Sequence, residues 1–283
     1  MSAYKATPAK LADDPLKPVP IPAQPPFKEG VADLGDTKLW YTDTGGDGVP
    51  VVLMHPASGS ALIWLYQRPV LVAAGYRVIA YSRRACHGSA PMTQDTRGVG
   101  SEDLVRMLDH LKLDKVHLVA CAAGGSIAAD FAISYPQRLR SLSVASNAFS
   151  VTDGPIADAA ARIRPAEWNT LPWWFRELGP SYRAANPEGV KLWIELEESG
   201  SAADGLRQDT RHKITEAMLA NMRTPTLLMT GAADTSTPPA THRLLAARLP
   251  DCEVFVVQEC GHSAYWERPD VFNAVLIDFI SRH

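Results

Sequence analysis

The sequence has 283 residues, of which 46% are hydrophobic, and its formal net charge is −3. This length and apolar content allow one large domain with a substantial core, or one domain that carries an inserted segment. The chain has no basic run with interleaved aromatic residues, no apolar signal core and no apolar stretch that approaches a membrane span. The composition therefore predicts a cytoplasmic protein that binds neither nucleic acid nor membrane.

Residues 1–27 are rich in proline, alanine and lysine, and residues 18–26 read Pro-Val-Pro-Ile-Pro-Ala-Gln-Pro-Pro. Such a composition predicts an N-terminal arm that is either disordered or extended along the surface.

Strand and helix patterns alternate after this arm. A hairpin is predicted at 31–43, and helices are predicted at 99–111, 241–249 and 269–280. Buried strands are predicted at 50–55, 76–82, 116–120, 142–146, 226–231 and 253–257. Residues 150–218, which we call the insert, lose the strand signals and accumulate tryptophan. We therefore expect an α/β fold, in which a mostly parallel central sheet carries helices on both faces. The core comprises 28–149 and 219–283, with the insert as a helical cap after the sixth core strand.

The most informative stretch is 116–134. Its first five residues are mostly apolar, and a run of small residues, Cys-Ala-Ala-Gly-Gly, follows at 121–125. Apolar residues then recur at helical spacing up to Ala132. Small residues are needed where the backbones of a strand and a helix nearly touch. The stretch therefore predicts a strand, a sharp turn and a helix.

This turn resembles the nucleophile elbow of the α/β-hydrolase superfamily, Gly-x-Ser-x-Gly. With the last glycine of the motif aligned on Gly124, the first glycine falls on Ala120 and the nucleophile falls on Ala122. The resemblance covers roughly residues 28–283. It implies the α/β-hydrolase fold and a serine esterase or lactonase site in which Ala122 occupies the nucleophile position.

The resemblance also implies where the other catalytic parts lie, in the chain order that the family uses. Asp234 follows a predicted strand and takes the position of the acid, and His262, in a Gly-His pair after the last strand, takes that of the base. Ala57 and Ala123 take the positions whose backbone N–H groups form the oxyanion hole.

Substrate contacts are expected from five side chains. Trp64 follows the oxyanion loop, and Trp168, Trp173 and Trp174 belong to the insert, where aromatic residues either pack the insert onto the core or line an apolar pocket. Arg83 either meets an anionic group of the substrate or forms a structural salt bridge. The sequence has no Cys-x-x-Cys, His-x-x-x-His or dinucleotide-binding motif, and its four cysteines are scattered. We therefore predict no metal, no cofactor and no disulfide.

Ala122 has three competing explanations. It is an inactivating Ser→Ala change, or the mark of a natural binding protein on this fold, or a sign of chemistry that needs no serine. We favour the first, because Asp234, His262 and the paired glycines persist. Cys121 is a poor replacement nucleophile, because one residue along a strained turn its side chain points in another direction.

We therefore expect a carboxylic ester hydrolase that acts on a small, partly aromatic ester, such as a monoester of an aromatic acid, or on a lactone. The alternatives are a non-catalytic small-molecule-binding member of the fold and a hydrolase of carbon–carbon bonds or epoxides. The oligomeric state is not readable from the sequence.

Overall fold

The computed structural model describes residues 17–200 and 206–283, and its centre is a single eight-stranded sheet. In chain order the strands are β1 (Lys28–Asp33), β2 (Lys38–Asp43), β3 (Pro50–Met54), β4 (Arg77–Tyr81), β5 (Val116–Cys121), β6 (Leu139–Ala145), β7 (Thr226–Gly231) and β8 (Cys252–Val257). Their order across the sheet is β1-β2-β4-β3-β5-β6-β7-β8. The β1–β2 and β2–β4 pairs are antiparallel, and every other pair is parallel. The prediction of a mostly parallel sheet is confirmed.

Burial on both faces explains why the central strands are nearly continuous apolar runs. Every residue of β5 and of β7 is buried. The helices are α1 (Gln67–Ala73), α2 (Gly100–His110), α3 (Ala123–Ser134), α4 (Gly154–Ile163), α5 (Trp173–Glu177), α6 (Pro180–Ala185), α7 (Pro187–Gly200), α8 (Glu216–Asn221), α9 (Pro239–Ala246), α10 (Ala264–Glu267) and α11 (Pro269–Ile280). None of these helices is both long and apolar enough to cross a membrane.

Two apolar clusters, one on each face of the sheet, form the core. The first cluster receives side chains from α2, α3 and α9, such as Leu104, Phe131 and Leu245. The second receives side chains from α1 and α11, such as Leu71 and Phe272, and also from the insert. Helices therefore cover both faces of the sheet, as the alternation of strands and helices predicts.

The described part of the proline-rich arm, residues 17–27, has neither helix nor strand and lies on the core. The hydroxyl of Tyr66 donates to the carbonyl of Val19 at 3.0 Å, and Gln24 donates to the carbonyl of Leu65 at 2.8 Å. The rest of the arm, residues 1–16, lies outside the described residues. Between β6 and β7 the described residues form only helices and loops, apart from one bridge between Val99 and Asp209.

A buried ion-pair network joins the loop after β4 to α2. The guanidinium of Arg84, with a side chain only 2% exposed, donates to both carboxylate oxygens of Asp103 at 2.7 and 2.8 Å and to Asp36 at 2.7 Å. Arg106 also contacts both of these carboxylates. Because Arg84 is neutralised within the fold, its role is structural.

We expect Arg84→Gln to lower the free energy of unfolding by about 3 kcal/mol, the lower end for a broken buried pair, because Arg106 still contacts Asp103. The matched control is Arg282→Gln, which breaks an ion pair with Glu253 whose two side chains are 44% and 39% exposed. That change should cost less than about 1 kcal/mol. Urea unfolding measures both values, and equal losses would contradict the structural role.

Candidate active site

A strained turn joins β5 to α3 and has Ala122 at its tip. Ala122 has φ 44° and ψ −126°, a conformation that side chains other than glycine rarely adopt. Its N–H donates to the carbonyl of Ala145 at 2.9 Å, and its own carbonyl accepts from the N–H of Gly125 at 2.8 Å. Such backbone strain costs about 1–3 kcal/mol and persists where the surrounding structure enforces it. The turn thus has the form that the elbow motif predicts.

The first turn of α3 packs directly on the loop after β3. A Cβ atom added to Gly124 would lie 2.6 Å from the carbonyl oxygen of His55, which is closer than real Cβ contacts allow. Glycine is therefore required at this position, because it lets the two backbones approach each other. The contact brings the loop that contains Ala57 against the elbow.

Two backbone N–H groups are available at this junction. Ala123 is the first residue of α3, so its N–H has no acceptor within the helix. Ala57 is exposed, and within residues 17–200 and 206–283 its N–H donates no hydrogen bond. Preorganised N–H groups of this kind stabilise a developing oxyanion. Their assignment as the oxyanion hole stays a prediction.

Two buried side chains, His55 and Arg83, hold the loop after β3 in place. The Nε2 atom of His55 accepts from the backbone N–H of Arg83 at 3.0 Å, and its Nδ1 lies 2.8 Å from the carbonyl oxygen of Pro56. Burial lowers the pKa of His55 well below its usual range, so the ring is neutral. The guanidinium of Arg83 donates to the same Pro56 carbonyl and is buried. Arg83 therefore supports the loop, and its contact with a substrate stays a prediction.

Asp234 and His262 form a hydrogen-bonded pair. The Nδ1 atom of His262 lies 3.0 and 2.9 Å from the two carboxylate oxygens of Asp234. The carboxylate also accepts from the backbone N–H groups of Ser236 and Thr237, at 2.8 and 2.9 Å, and from the Thr237 hydroxyl at 2.9 Å. These contacts fix Asp234 and orient the imidazole so that Nε2 points away from the carboxylate.

The pair is brought together by two loops that touch. A Cβ atom on Gly231, the last residue of β7, would lie 1.9 Å from the carbonyl oxygen of Gly261. The N–H of Ala233 donates to the carbonyl of Cys260 at 2.9 Å. The loop after β7 and the loop after β8 are therefore joined at the residues that precede Asp234 and His262.

The insert contributes a second carboxylate to His262. The carbonyl oxygen of Glu177, the last residue of α5, accepts from the backbone N–H groups of His262 and Ser263 at 2.9 and 3.2 Å. Its side-chain Oε2 lies 3.4 Å from the Nε2 atom of His262. Glu177 thus occupies the side of the imidazole where a nucleophile hydroxyl would be expected.

Both carboxylates affect the charge of the imidazole. Burial lowers the pKa of His262, but the negative charges of Asp234 and Glu177 outweigh this effect and raise that pKa to about 9, with Arg164 opposing them weakly. Burial raises the pKa of Asp234, but His262 and the hydrogen bonds from Ser236 and Thr237 lower it overall. The pair is therefore an ion pair near neutral pH.

The sequence of this chain matches the model of a known protein family. The model of the alpha/beta hydrolase family matches residues 51–275, which is most of the chain. The chain belongs to the alpha/beta hydrolase family.

Several proteins that resemble this family member are hydrolases. A 2-hydroxy-6-oxononadienedioate/2-hydroxy-6-oxononatrienedioate hydrolase of Paraburkholderia xenovorans is 27% identical over 277 residues, which cover 87% of this chain and 92% of that protein. A thermophilic esterase of Thermogutta terrifontis superposes with a TM-score of 0.72 at 21% identity, covering 91% and 98% of the two chains. The enol-lactonase of Burkholderia xenovorans gives 0.72 at 19% identity, covering 89% and 100%. The two structures share the fold, and the relatives place the chain among the hydrolases.

Glu197 of α7 is a part of this hydrolase site that the sequence did not reveal. Its carboxyl group is completely buried and accepts from the hydroxyl of Tyr265 at 3.1 Å, and its backbone carbonyl accepts from the N–H of Gly59 at 3.1 Å. Burial raises the pKa of Glu197 to about 7, although a hydrogen bond with Ser58 opposes the shift. The insert therefore holds the loop after β3 through the backbone carbonyl and the buried carboxyl group of Glu197. Neither Glu177 nor Glu197 lies in a sequence motif.

The four tryptophans predicted to bind substrate lie in different environments. Trp168 lines a cavity of about 440 Å³, which also borders the backbone at Gly261. Trp173 is half-buried and stacks on Trp193 of the second apolar cluster with ring centroids 4.8 Å apart, and Trp174 also packs on that cluster. Trp64 is completely buried, 5.3 Å from the ring of Tyr265. Only Trp168 of the four lines this cavity, and substrate contact by the others stays a prediction.

The four cysteines are buried thiols. Cys121 is 1% exposed, and burial raises the pKa of its thiol well above the usual range. A buried, protonated thiol is a poor nucleophile. In the part of the chain that the structure describes, no group of three His, Cys, Asp or Glu side chains is arranged to hold a metal ion.

We expect the imidazole of His262 to titrate with a pKa near 9 in nitrogen-15 NMR spectra. Glu177→Gln should lower this pKa by about 1 unit or more, because it removes one of two nearby opposite charges. The control Glu195→Gln changes an exposed carboxylate elsewhere in the insert and should leave the pKa unaltered. An unchanged pKa in Glu177→Gln would show that the carboxylate does not act on the imidazole.

Proposed function

We propose that the site hydrolyses small carboxylic esters or lactones when position 122 carries a serine, and that the chain with Ala122 is an inactivated form. Two observations support this most directly: the hydrogen-bonded Asp234–His262 pair, and an elbow that keeps its strained backbone. The strained turn costs free energy. In this proposal both the turn and the pair serve a nucleophile at position 122.

The reaction proceeds by acyl transfer. Above its pKa of about 9 His262 is neutral, and a serine hydroxyl at position 122 then attacks the carbonyl carbon of the ester and gives its proton to the Nε2 atom of His262. The resulting oxyanion receives hydrogen bonds from the N–H groups of Ala57 and Ala123. His262 then protonates the leaving alcohol, and Asp234 stabilises the imidazolium throughout. Water repeats the sequence on the acyl-enzyme and releases the acid.

The nature of the substrate is inferred from the insert. The cavity beside Trp168 is also lined by Phe175, Leu171 and the side chains of Arg176 and Arg183, so it combines apolar walls with positive charge. Pockets of this composition suit an aromatic group that carries a negative charge. This cavity supports a monoester of an aromatic acid as the substrate, with a lactone as the other possibility within the same chemistry.

A second candidate function is the hydrolysis of a carbon–carbon bond. The relative from Paraburkholderia xenovorans is a hydrolase of 2-hydroxy-6-oxo-dienedioates and resembles this chain over most of its length. Such a substrate is a dianion with an extended conjugated chain, and the positively charged cavity also suits it. A non-catalytic binding protein is the third reading, which the retained Asp234–His262 pair does not favour.

At a pH above about 9, where His262 is neutral, we expect Ala122→Ser to raise kcat on p-nitrophenyl esters by at least about 10³-fold, because loss of a catalytic serine costs on the order of 10⁶-fold in kcat. Release of p-nitrophenolate measures the rate, with monoesters of aromatic acids assayed in parallel. The double variant Ala122→Ser/His262→Asn should lose the gain, because the hydroxyl then has no base.

The same serine variant distinguishes the two reactions. Rapid loss of the absorbance of a 2-hydroxy-6-oxo-dienoate, with slow turnover of every ester, would favour carbon–carbon hydrolysis. A folded serine variant that binds these compounds and turns over none of them would favour the binding protein and contradict the proposed hydrolase.

A further inference from the structure

The strongest unexplained feature of the site is the position of Glu177. A hydrolase that lacks its nucleophile hydroxyl leaves the Nε2 atom of the catalytic histidine without a partner. Here Nε2 of His262 faces Oε2 of Glu177 at 3.4 Å, and Ala122 offers no hydroxyl to compete. The Glu177 side chain is 29% exposed, so its carboxylate is accessible to water.

Hydrogen bonds between the insert and the loop that contains His262 hold this carboxylate in place. The backbone carbonyl of Glu177 binds the N–H groups of His262 and Ser263. The buried carboxyl group of Glu267 accepts from the N–H groups of Gly179, Gly261 and Ser263 at 2.8, 2.9 and 3.0 Å. Five backbone hydrogen bonds thus fix Glu177 against His262, so the approach of the two side chains is not a chance surface contact.

His262 and Glu177 can take opposite roles in proton transfer, the first as a donor and the second as an acceptor. His262 lies between the carboxylates of Asp234 and Glu177, which keep its imidazole protonated near neutral pH. A protonated imidazole donates a proton and cannot accept one. Glu177 is the nearby group that can accept a proton, and water can reach it. The arrangement is therefore an acid and a base side by side.

We propose that Glu177 and His262 together hydrolyse activated esters in this chain as it stands, by direct attack of water and without a nucleophile at position 122. This inference rests on the proposed ester-binding site and adds a second route through it. Glu177 is a catalytic residue in this route, because it contacts the attacking water.

The proposed route has three steps: water attack, collapse of the tetrahedral intermediate and return of a proton to His262. Water forms a bond to the carbonyl carbon and gives one proton to the Glu177 carboxylate, and the oxyanion is held by the N–H groups of Ala57 and Ala123. As the tetrahedral intermediate collapses, the bond to the leaving oxygen breaks and His262 gives that oxygen its Nε2 proton. The proton on Glu177 then passes to Nε2 across the 3.4 Å that separates them. Both groups return to their starting state, and the net reaction consumes one ester and one water.

The first test compares kcat/KM for p-nitrophenyl acetate among the unaltered chain, Glu177→Gln and the matched control Glu195→Gln. We expect a loss of about 10²-fold in Glu177→Gln, the lower range for removal of a general base, and no change in the control. Glu177→Gln keeps the size of the side chain and every backbone hydrogen bond, and equal melting temperatures would verify its folding. Equal rates in all three proteins, or no rate above buffer in the unaltered chain, would overturn the proposal.

The second test is the pH dependence, which has opposite signs for the two routes. Water attack in the unaltered chain needs protonated His262, so kcat/KM should fall as pH rises through about 9. Serine attack in Ala122→Ser needs neutral His262, so its kcat/KM should rise over the same range. A rise in the unaltered chain would also overturn the proposal.

The two proposals fail separately. An Ala122→Ser variant that is no faster than the unaltered chain, beside a Glu177-dependent rate in the unaltered chain, would contradict the serine hydrolase and support water attack. An active serine variant beside an unaltered chain that is insensitive to Glu177→Gln would do the reverse.

Discussion

The contact between α3 and the loop after β3 is the constraint on which the rest of the site depends. Gly124 has no side chain, so the helix start lies directly against the carbonyl of His55. This approach brings the N–H groups of Ala57 and Ala123 to one junction, and it holds the turn at Ala122 in a conformation that costs free energy. The framework does not depend on a hydroxyl at position 122, because backbone contacts maintain it. The turn can therefore keep its form with alanine at its tip.

The charge of His262 determines which proton transfers it can take part in. In a serine hydrolase the histidine must be neutral to accept a proton, whereas His262 has a carboxylate on each side and is protonated near neutral pH. The insert supplies one of these carboxylates, Glu177, and also supplies Glu197, whose carboxyl group is buried and whose backbone carbonyl binds the loop after β3. The insert thus does more than cover the core, since it raises the pKa of His262 and contacts the loop that contains Ala57.

Much of the fold and of the candidate site could be predicted from the sequence. Local residue patterns indicate the strands and helices, and the motif order of the family indicates the site residues. The predicted helix at 269–280 has the observed bounds of α11, and the predicted strands all exist within a few residues. The elbow, Asp234 and His262 follow from motifs, and the structure brings the last two together. Glu177 could not be predicted, because it lies in a helical segment without a motif and meets His262 only through tertiary packing. The same limit applies to Trp64, which sequence position suggests for a pocket and the structure buries in the core.

The sequence by itself determined the alternation of strands and helices, the sharp turn after β5 and the alanine at its tip, since each of these depends on the types and spacing of neighbouring residues. Only the tertiary structure decided which groups surround His262 and hence its charge. A pKa depends on burial and on charges a few ångströms away, whatever their separation along the chain. A sequence motif predicts which side chains meet only where it fixes the distance between them. No motif links Glu177 to His262, so their contact arises only when the chain folds.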